Sequence, residues 1–280
     1  MNLLSSRYLI SGQVSQALAE DLGSGDLTAA LLDPAAVIQA QIISRESAVI
    51  CGIPWVEEVY RQLDPAIEMD WMVADGDAVS TDQVLCRLNG NTRALLSGER
   101  CALNYLQTLS GTATTVRRYA DAVQGMSVRI MDTRKTIPGL RLQQKYAVQC
   151  GGCHNHRVGL YDAVLIKENH IRVAGSIAAA LSKSRELVPE GVTIEIEVES
   201  LDELEQALQG GAQRVLLDNF TLQQLRDAVK MAGGRATLEA SGGIQLESIR
   251  EIAETGVDDI SVGALTKDVR AVDLSMLFER

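Results

Sequence analysis

The sequence predicts an α/β protein in which an incomplete, open β/α barrel follows an N-terminal domain of mixed helices and strands. Three observations lead there. Short apolar strands alternate with amphipathic helices through the second half of the chain. Aromatic residues make up only 4% of the sequence, so the core is built of Leu, Val, Ile and Ala, the residues that line parallel sheets and their covering helices. Ionisable residues end several of the strands, where a barrel gathers them round one mouth and an open sheet would spread them along a crevice.

The elements follow in order. A helix is expected over 13–20, then a glycine-broken turn over 21–28. Alternating apolar residues over 37–53 predict strand, interrupted by a polar turn at Ser44-Arg45-Glu46, and Pro54 opens a helix that runs to 63. Strand resumes at Trp71 and Val73, and Asp75-Gly76 supplies a tight turn. A long helical pattern over 98–124, capped by Ser97, separates the two halves. Beyond it, strands are expected over 128–132, 163–167, 193–198, 214–218, 236–239 and 259–262. Helices are expected over 139–149, 177–187, 201–209, 222–232 and 246–254.

Composition narrows the function. A chain of 280 residues, 46% apolar and 22% charged, holds a full core or two modest domains. With 26 basic against 37 acidic residues the net charge is −11, and no basic tail offers a nucleic-acid surface. The absence of a leader pattern and of any eighteen-residue apolar stretch points to a cytoplasmic protein without a membrane anchor. Five cysteines without a secretory signal read as thiols. Cys150-Gly151-Gly152-Cys153-His154 has the letters of a haem or zinc motif, but a structural zinc site needs a second ligand pair that is not nearby.

Chemistry concentrates at the strand ends. Arg134 and Lys135 directly follow a strand and precede a Pro-Gly turn, so they occupy a loop over the mouth, with Asp132 pinning the loop backbone or a neighbour. His156 and Arg157 form a second cationic loop, and Lys167 ends the next strand. So many cations in one mouth call for a multiply charged anionic ligand. Glu195, Glu197 and Glu199 fall on one face of a strand that should be buried, and Asp218 ends the strand after it. Buried carboxylates need cations or a metal, and an all-oxygen set suits magnesium held through substrate phosphates. Ser241-Gly242-Gly243 and Gly263 close the last two strands, where bare backbone N–H groups cradle phosphate.

The same residues carry a family resemblance. Gly98-Glu99-Arg100 with Leu103-Asn104, Leu109-Ser110-Gly111, the 132–140 loop, Lys145-Tyr146-Ala147-Val148, Asn155-His156-Arg157, Leu165-Ile166-Lys167-Glu168-Asn169-His170, the 195–199 strand, Leu217-Asp218-Asn219, Glu239-Ala240-Ser241-Gly242-Gly243-Ile244 and Ile260-Ser261-Val262-Gly263 together resemble the quinolinate phosphoribosyltransferases. The match runs in order through nearly the whole chain.

That resemblance implies transfer of ribose 5-phosphate from phosphoribosyl pyrophosphate to the ring nitrogen of quinolinate, with loss of pyrophosphate and carbon dioxide. It implies an α/β sandwich over 1–112, completed by 267–280, a barrel over 113–266, and a homodimer with shared active sites. By that likeness Arg134, His156 and Arg157, with Lys135 and with Arg100 of the neighbouring subunit, hold the two carboxylates of quinolinate. Lys167 and His170 lie beside the reacting centres, Glu197 and Asp218 engage the ribose and magnesium-bound pyrophosphate, and Ser241, Gly242, Gly243 and Gly263 take the 5′-phosphate. Lys135, Lys167, Glu197 and Asp218 are the expected catalytic set, with Lys135, Lys167 and water all open as the final proton donor. Cys153 and Lys267 depart from the family pattern, which usually has a small or apolar residue and a histidine there. A transferase-like relative associated with molybdate transport is the alternative enzyme reading. A non-catalytic sensor on the same barrel gives no reason for the acidic pair.

Overall fold

The computed structural model describes residues 7–278. In chain order the elements are α1 (Arg7–Leu22), β1 (Val37–Ser44), β2 (Ala48–Val49), α2 (Ile53–Leu63), β3 (Glu68–Trp71), β4 (Ala78–Val79), β5 (Val84–Asn91) and α3 (Thr92–Ala122). Then come β6 (Arg129–Met131), α4 (Arg141–Cys150), β7 (Ala163–Ile166), α5 (Glu168–Ala174), α6 (Ile177–Leu187), β8 (Thr193–Val198), α7 (Leu201–Gln209), β9 (Arg214–Asp218), α8 (Leu222–Ala232), β10 (Thr237–Ser241), α9 (Ile249–Ala253), β11 (Asp259–Ser261), α10 (Ala264–Lys267) and β12 (Leu274–Phe278). Two compact units emerge, 7–117 with 142–152 and 269–278, and 118–141 with 153–268.

The first unit is built on a four-stranded sheet in the order β12-β1-β5-β3, all antiparallel. Its apolar face carries Ala40, Ile42, Leu88 and Met276 into a core shared with Trp55, Val56, Val59 and Tyr60 of α2. Where a division at 112 and a barrel over 113–266 were expected, this unit also holds 113–117 and 142–152. The physical reason is α4. Tyr146 and Ala147 belong to the first unit's core, the Tyr146 ring lies 5.6 Å from Trp55, and its hydroxyl donates to Asp75 at 2.7 Å. Ser97 does not cap α3 either: the helix begins at Thr92, and the Ser97 hydroxyl, inside it, donates to Asp26 at 2.8 Å.

The second unit is a six-stranded parallel sheet in the order β6-β11-β10-β9-β8-β7 with helices between the strands. Local chemistry starts those helices where the sequence allows. Ser200 accepts the Glu203 N–H at the head of α7, and Thr221 with Gln224 forms a capping box on α8. His154 adds a one-residue parallel bridge on the free edge of β6. On a flat sheet that edge would lie about 19 Å from β8, four strand spacings away. Instead the His156 ring touches Glu195 of β8, and the Arg157 guanidinium donates to the Ala163 carbonyl of β7 at 3.1 Å. The sheet therefore curls into an open barrel whose ungated seam is spanned by side chains.

Candidate active site

The 132–141 loop is fixed from both sides. Asp132, fully buried, accepts the His156 backbone N–H at 2.8 Å, so its role is to pin the neighbouring cationic loop. Arg141, at the start of α4, ties the same two loops through Thr136 at 3.1 Å and the Val158 carbonyl at 3.2 Å. Thr266 donates to the Lys135 carbonyl at 2.9 Å, and a Cβ at Gly263 would stand 2.9 Å from the Lys135 Cδ, so this exposed lysine lies across the end of β11. Arg134 keeps its Nε buried without a hydrogen-bond partner among the described residues. Burial and then the Arg134 charge lower the proton affinity of Arg157, which sets the two guanidinium groups in one electrostatic environment.

Beneath these loops lies a charged barrel interior. The His156 Nε2 is 2.8 Å from Glu195 and 3.4 Å from Glu239. Arg214, first residue of β9, reaches Glu195 on β8 at 2.8 Å, Glu239 on β10 and Asp259 on β11 at 2.6 Å. Arg129, first residue of β6, closes the chain with two bonds to Asp259 at 2.6 and 2.8 Å. Glu195, Glu239 and Asp259 are all essentially inaccessible. The spacing of His156, Glu195 and Glu239 would also admit a metal ion, but Arg214 already occupies the space between the two glutamates.

Two bonds pull on the His156 proton in opposite senses. The Arg157 backbone N–H donates to Nδ1 at 2.8 Å, which favours the neutral ring by about 1 kcal/mol. Burial also opposes the charge, yet the Glu195 and Glu239 carboxylates outweigh both and lift the imidazole to about 9. Bonds to a charged partner are worth roughly 1.5–3 kcal/mol each, so the cation wins at neutral pH. Against the cost of burial, His156 and Arg214 in turn hold Glu239 well below the usual carboxylate range.

The acidic pair sits on adjacent strands. Glu197 registers with Leu216, and Asp218 lies two residues further along β9 on the same face. Lys167, at the end of β7, is 2.5 Å from Glu197. Asp218 takes a bond from the Asn219 amide at 2.8 Å on Oδ2. Asn219 adopts a left-handed backbone and its N–H donates to the Ser241 carbonyl at 2.9 Å, which docks this turn on the Ser241-Gly242-Gly243 loop. His170, exposed at the start of α5, accepts the Lys167 N–H on Nδ1 at 2.9 Å.

Not every expectation converges here. Glu199 lies past the end of β8 and is exposed, so two carboxylates of that strand face inward, not three. Arg100 is exposed on α3 in the first unit. Lys267 pairs loosely with Asp268 at 3.7 Å on the surface. Cys153 is buried apart from the group in which Cys150 meets Cys51 and Asp75. Arg214, Asp259 and Arg129 are not evident from the sequence because each opens its strand, whereas the charges that a barrel gathers at its mouth end theirs. Alternation from Asp218 back through Leu216 to Arg214 was the available signal, since it puts a cation inside the barrel.

Residues 26–110 match the family Quinolinate phosphoribosyl transferase, N-terminal domain, and residues 112–277 match Quinolinate phosphoribosyl transferase, C-terminal domain. Over 257 residues, 92% of this chain and 89% of the relative, the sequence is 40% identical to a Bacillus subtilis protein named probable nicotinate-nucleotide pyrophosphorylase (carboxylating). A Synechocystis protein of the same name is 39% identical over the full chain and 96% of its own length. Among solved structures, the nicotinate-nucleotide pyrophosphorylase from Francisella tularensis is 45% identical and superposes with a TM-score of 0.95, covering 98% of this chain and 97% of that one.

Proposed function

The chain belongs to the quinolinate phosphoribosyltransferase family, and from that premise we propose how the mouth of its barrel carries out the reaction. It is a pentosyltransferase that makes nicotinate mononucleotide from quinolinate and phosphoribosyl pyrophosphate, releasing pyrophosphate and carbon dioxide. The observation that carries the assignment of the site is the buried, unpartnered Arg134 Nε in the same electrostatic environment as Arg157. Two guanidinium groups so placed fit a ligand with two carboxylates.

Arg134 and Arg157 bind the ring acid from above. When His156 takes its second proton, Nδ1 turns from acceptor to donor, and with the adjacent Arg157 N–H it offers a pair of donors to one carboxylate. Lys135 and Arg100, the latter from a partner subunit, complete the cationic wall. The ring nitrogen attacks the anomeric carbon as the bond to pyrophosphate breaks. Positive charge that develops on the ribose is met by Glu197 and Asp218, and Lys167, released from Glu197, takes up charge on the leaving group. The bond to the 2-carboxylate then breaks, carbon dioxide leaves, and the electron pair stays on the ring carbon beside the cationic nitrogen until a proton arrives. His170 is oriented by its bond to the Lys167 backbone at the same strand end. Ser241, Gly242, Gly243 and Gly263 hold the 5′-phosphate.

The inward carboxylates of Glu197 and Asp218 suit a hard cation, since Asp218 spends only Oδ2 on Asn219. Glu197 and Asp218 would hold magnesium, which would supply neutralisation of the leaving group's charge. We read the working form as a cytoplasmic homodimer; among the described residues no helix is long and apolar enough to cross a membrane. The test is pyrophosphate release by the purified protein. Release that requires quinolinate, phosphoribosyl pyrophosphate and magnesium together is expected, and turnover of nicotinate in place of quinolinate would overturn the reading.

A further inference from the structure

We propose that Arg214 is a positioning residue for quinolinate binding: it neutralises the carboxylate floor beneath His156, so that the imidazolium presents net positive charge to the ring acid. The inference rests on the reading that His156 faces quinolinate, and it concerns a residue that touches no substrate.

The geometry is specific. Arg214 rises from the first position of β9 between two strands that each carry a glutamate, and its guanidinium contacts both of them and Asp259 at once. His156 meets the same two glutamates from the mouth side. Arg129 holds Asp259 from below. The buried group therefore sets three carboxylates, Glu195, Glu239 and Asp259, against three cations, His156, Arg214 and Arg129, and it balances only when all three cations are charged. Asp132 reaches this group through the His156 backbone N–H, which it accepts on Oδ1. Without Arg214 the floor carries a net negative charge directly under the site for a dianion, and in a buried setting water does not screen it.

A sugar phosphate donor held at the ends of β8 to β11 depends less on this floor than the ring acid does. Loss of Arg214 is therefore expected to act on one substrate. Steady-state kinetics of Arg214→Gln should show the KM for quinolinate raised by about tenfold or more, with kcat and the KM for phosphoribosyl pyrophosphate within about twofold. Arg214→Lys should recover most of the binding. The double variant Arg214→Gln with Glu239→Gln restores the charge balance and should also recover it, which no merely structural role predicts.

His156→Ala, measured alongside, separates the two layers of argument. If His156→Ala leaves the quinolinate KM unchanged, the reading of the site fails and the inference with it. If His156→Ala raises that KM while Arg214→Gln does not, only the role of Arg214 is lost. An equal loss for both substrates, or a loss that Glu239→Gln does not relieve, also overturns it. Should Arg214→Gln fail to fold, Glu239→Gln alone carries the same test in mirror image: its KM for quinolinate should be equal to or below that of the unaltered chain, and a rise counts against the proposal.

Discussion

Lys167 and Glu197, at the ends of the paired strands β7 and β8, lie 2.5 Å apart, the lysine side chain 45% exposed and the glutamate 9%. A pair so divided between solvent and interior holds the carboxylate ready without contributing much to the fold. A half-exposed ion pair is worth at most about 1 kcal/mol.

Glu197→Gln should therefore separate activity from stability. Its kcat should fall on the order of 10²-fold, the scale for losing one preorganised charge beside a developing one. The melting temperature should move by no more than about 2–4 °C. Stopped-time assays and a thermal melt on one preparation check both, and a large drop in melting temperature would make Glu197 structural.

Arg134 and Arg157 repel each other until an anion arrives, so the ligand should stabilise the protein through them. Saturating quinolinate, near a hundred times its dissociation constant, should add about 2.7 kcal/mol. Nicotinate, with one carboxylate, should add far less. Arg134→Ala should abolish the quinolinate shift without lowering the melting temperature of the free protein. Differential scanning fluorimetry with the two acids reads this, and a retained shift in Arg134→Ala removes it from the carboxylate site.

Two glycines in the strand-end loops are set in place by different neighbours, so their alanine variants should fail differently. Gly242 has φ +104° and its added Cβ would fall 2.1 Å from the Asn219 Oδ1, next to Asp218. Relief must displace the turn that carries Asp218, so Gly242→Ala should lower kcat and raise the KM for phosphoribosyl pyrophosphate, at about 1–3 kcal/mol in stability. A Cβ at Gly263 presses on the flexible end of Lys135, at 2.9 Å from Cδ, and meets the Thr133 hydroxyl at an ordinary 3.8 Å. Gly263→Ala should leave the melting temperature nearly unchanged and alter kinetics alone. Gly263 has φ −68°, where alanine is unstrained, so equal destabilisation in both would show that neither the left-handed backbone nor the Asn219 contact at Gly242 sets the cost.

Much of the barrel was legible in the sequence because its elements are locally coded. The observed β8, β9, α6, α7 and α8 have the expected bounds, for each helix among them carries a Ser or Thr cap ahead of its apolar stripe. Elements defined by their partners were harder. β5 is a long strand through Asn89-Gly90-Asn91, poor strand formers that are held by pairing with β1 on one side and β3 on the other. β12 owes its place to β1, more than two hundred residues earlier in the chain, and only the family likeness anticipated that the chain end joins the first domain. Within the site, strand-end residues announced themselves, whereas the counter-charge that Glu195 and Glu239 share besides His156 comes from Arg214, at the far end of its strand. Their contacts exist only once the sheet has curled.

That curled interior sets the pH response. The carboxylates raise His156 from 6.5 to about 9, against the effect of burial, so its proton is bound more tightly in the folded state. A raised affinity means that the contribution to stability is complete below about pH 6.5 and disappears as pH climbs through 9; its full size is on the order of 3 kcal/mol. On the proposed reading of the site, the same titration removes the Nδ1 donor offered to the ring acid. The KM for quinolinate should then stay level from pH 7 to 8 and rise steeply between about 8.5 and 10, while the KM for phosphoribosyl pyrophosphate does not follow it. His156→Gln should flatten both the stability slope and the KM slope in that window. With only three histidines in the chain, an imidazole NMR titration assigned through His154 and His170 variants identifies the group directly. A midpoint for His156 near 6.5 would mean that the Arg157 amide, not the two glutamates, governs the ring.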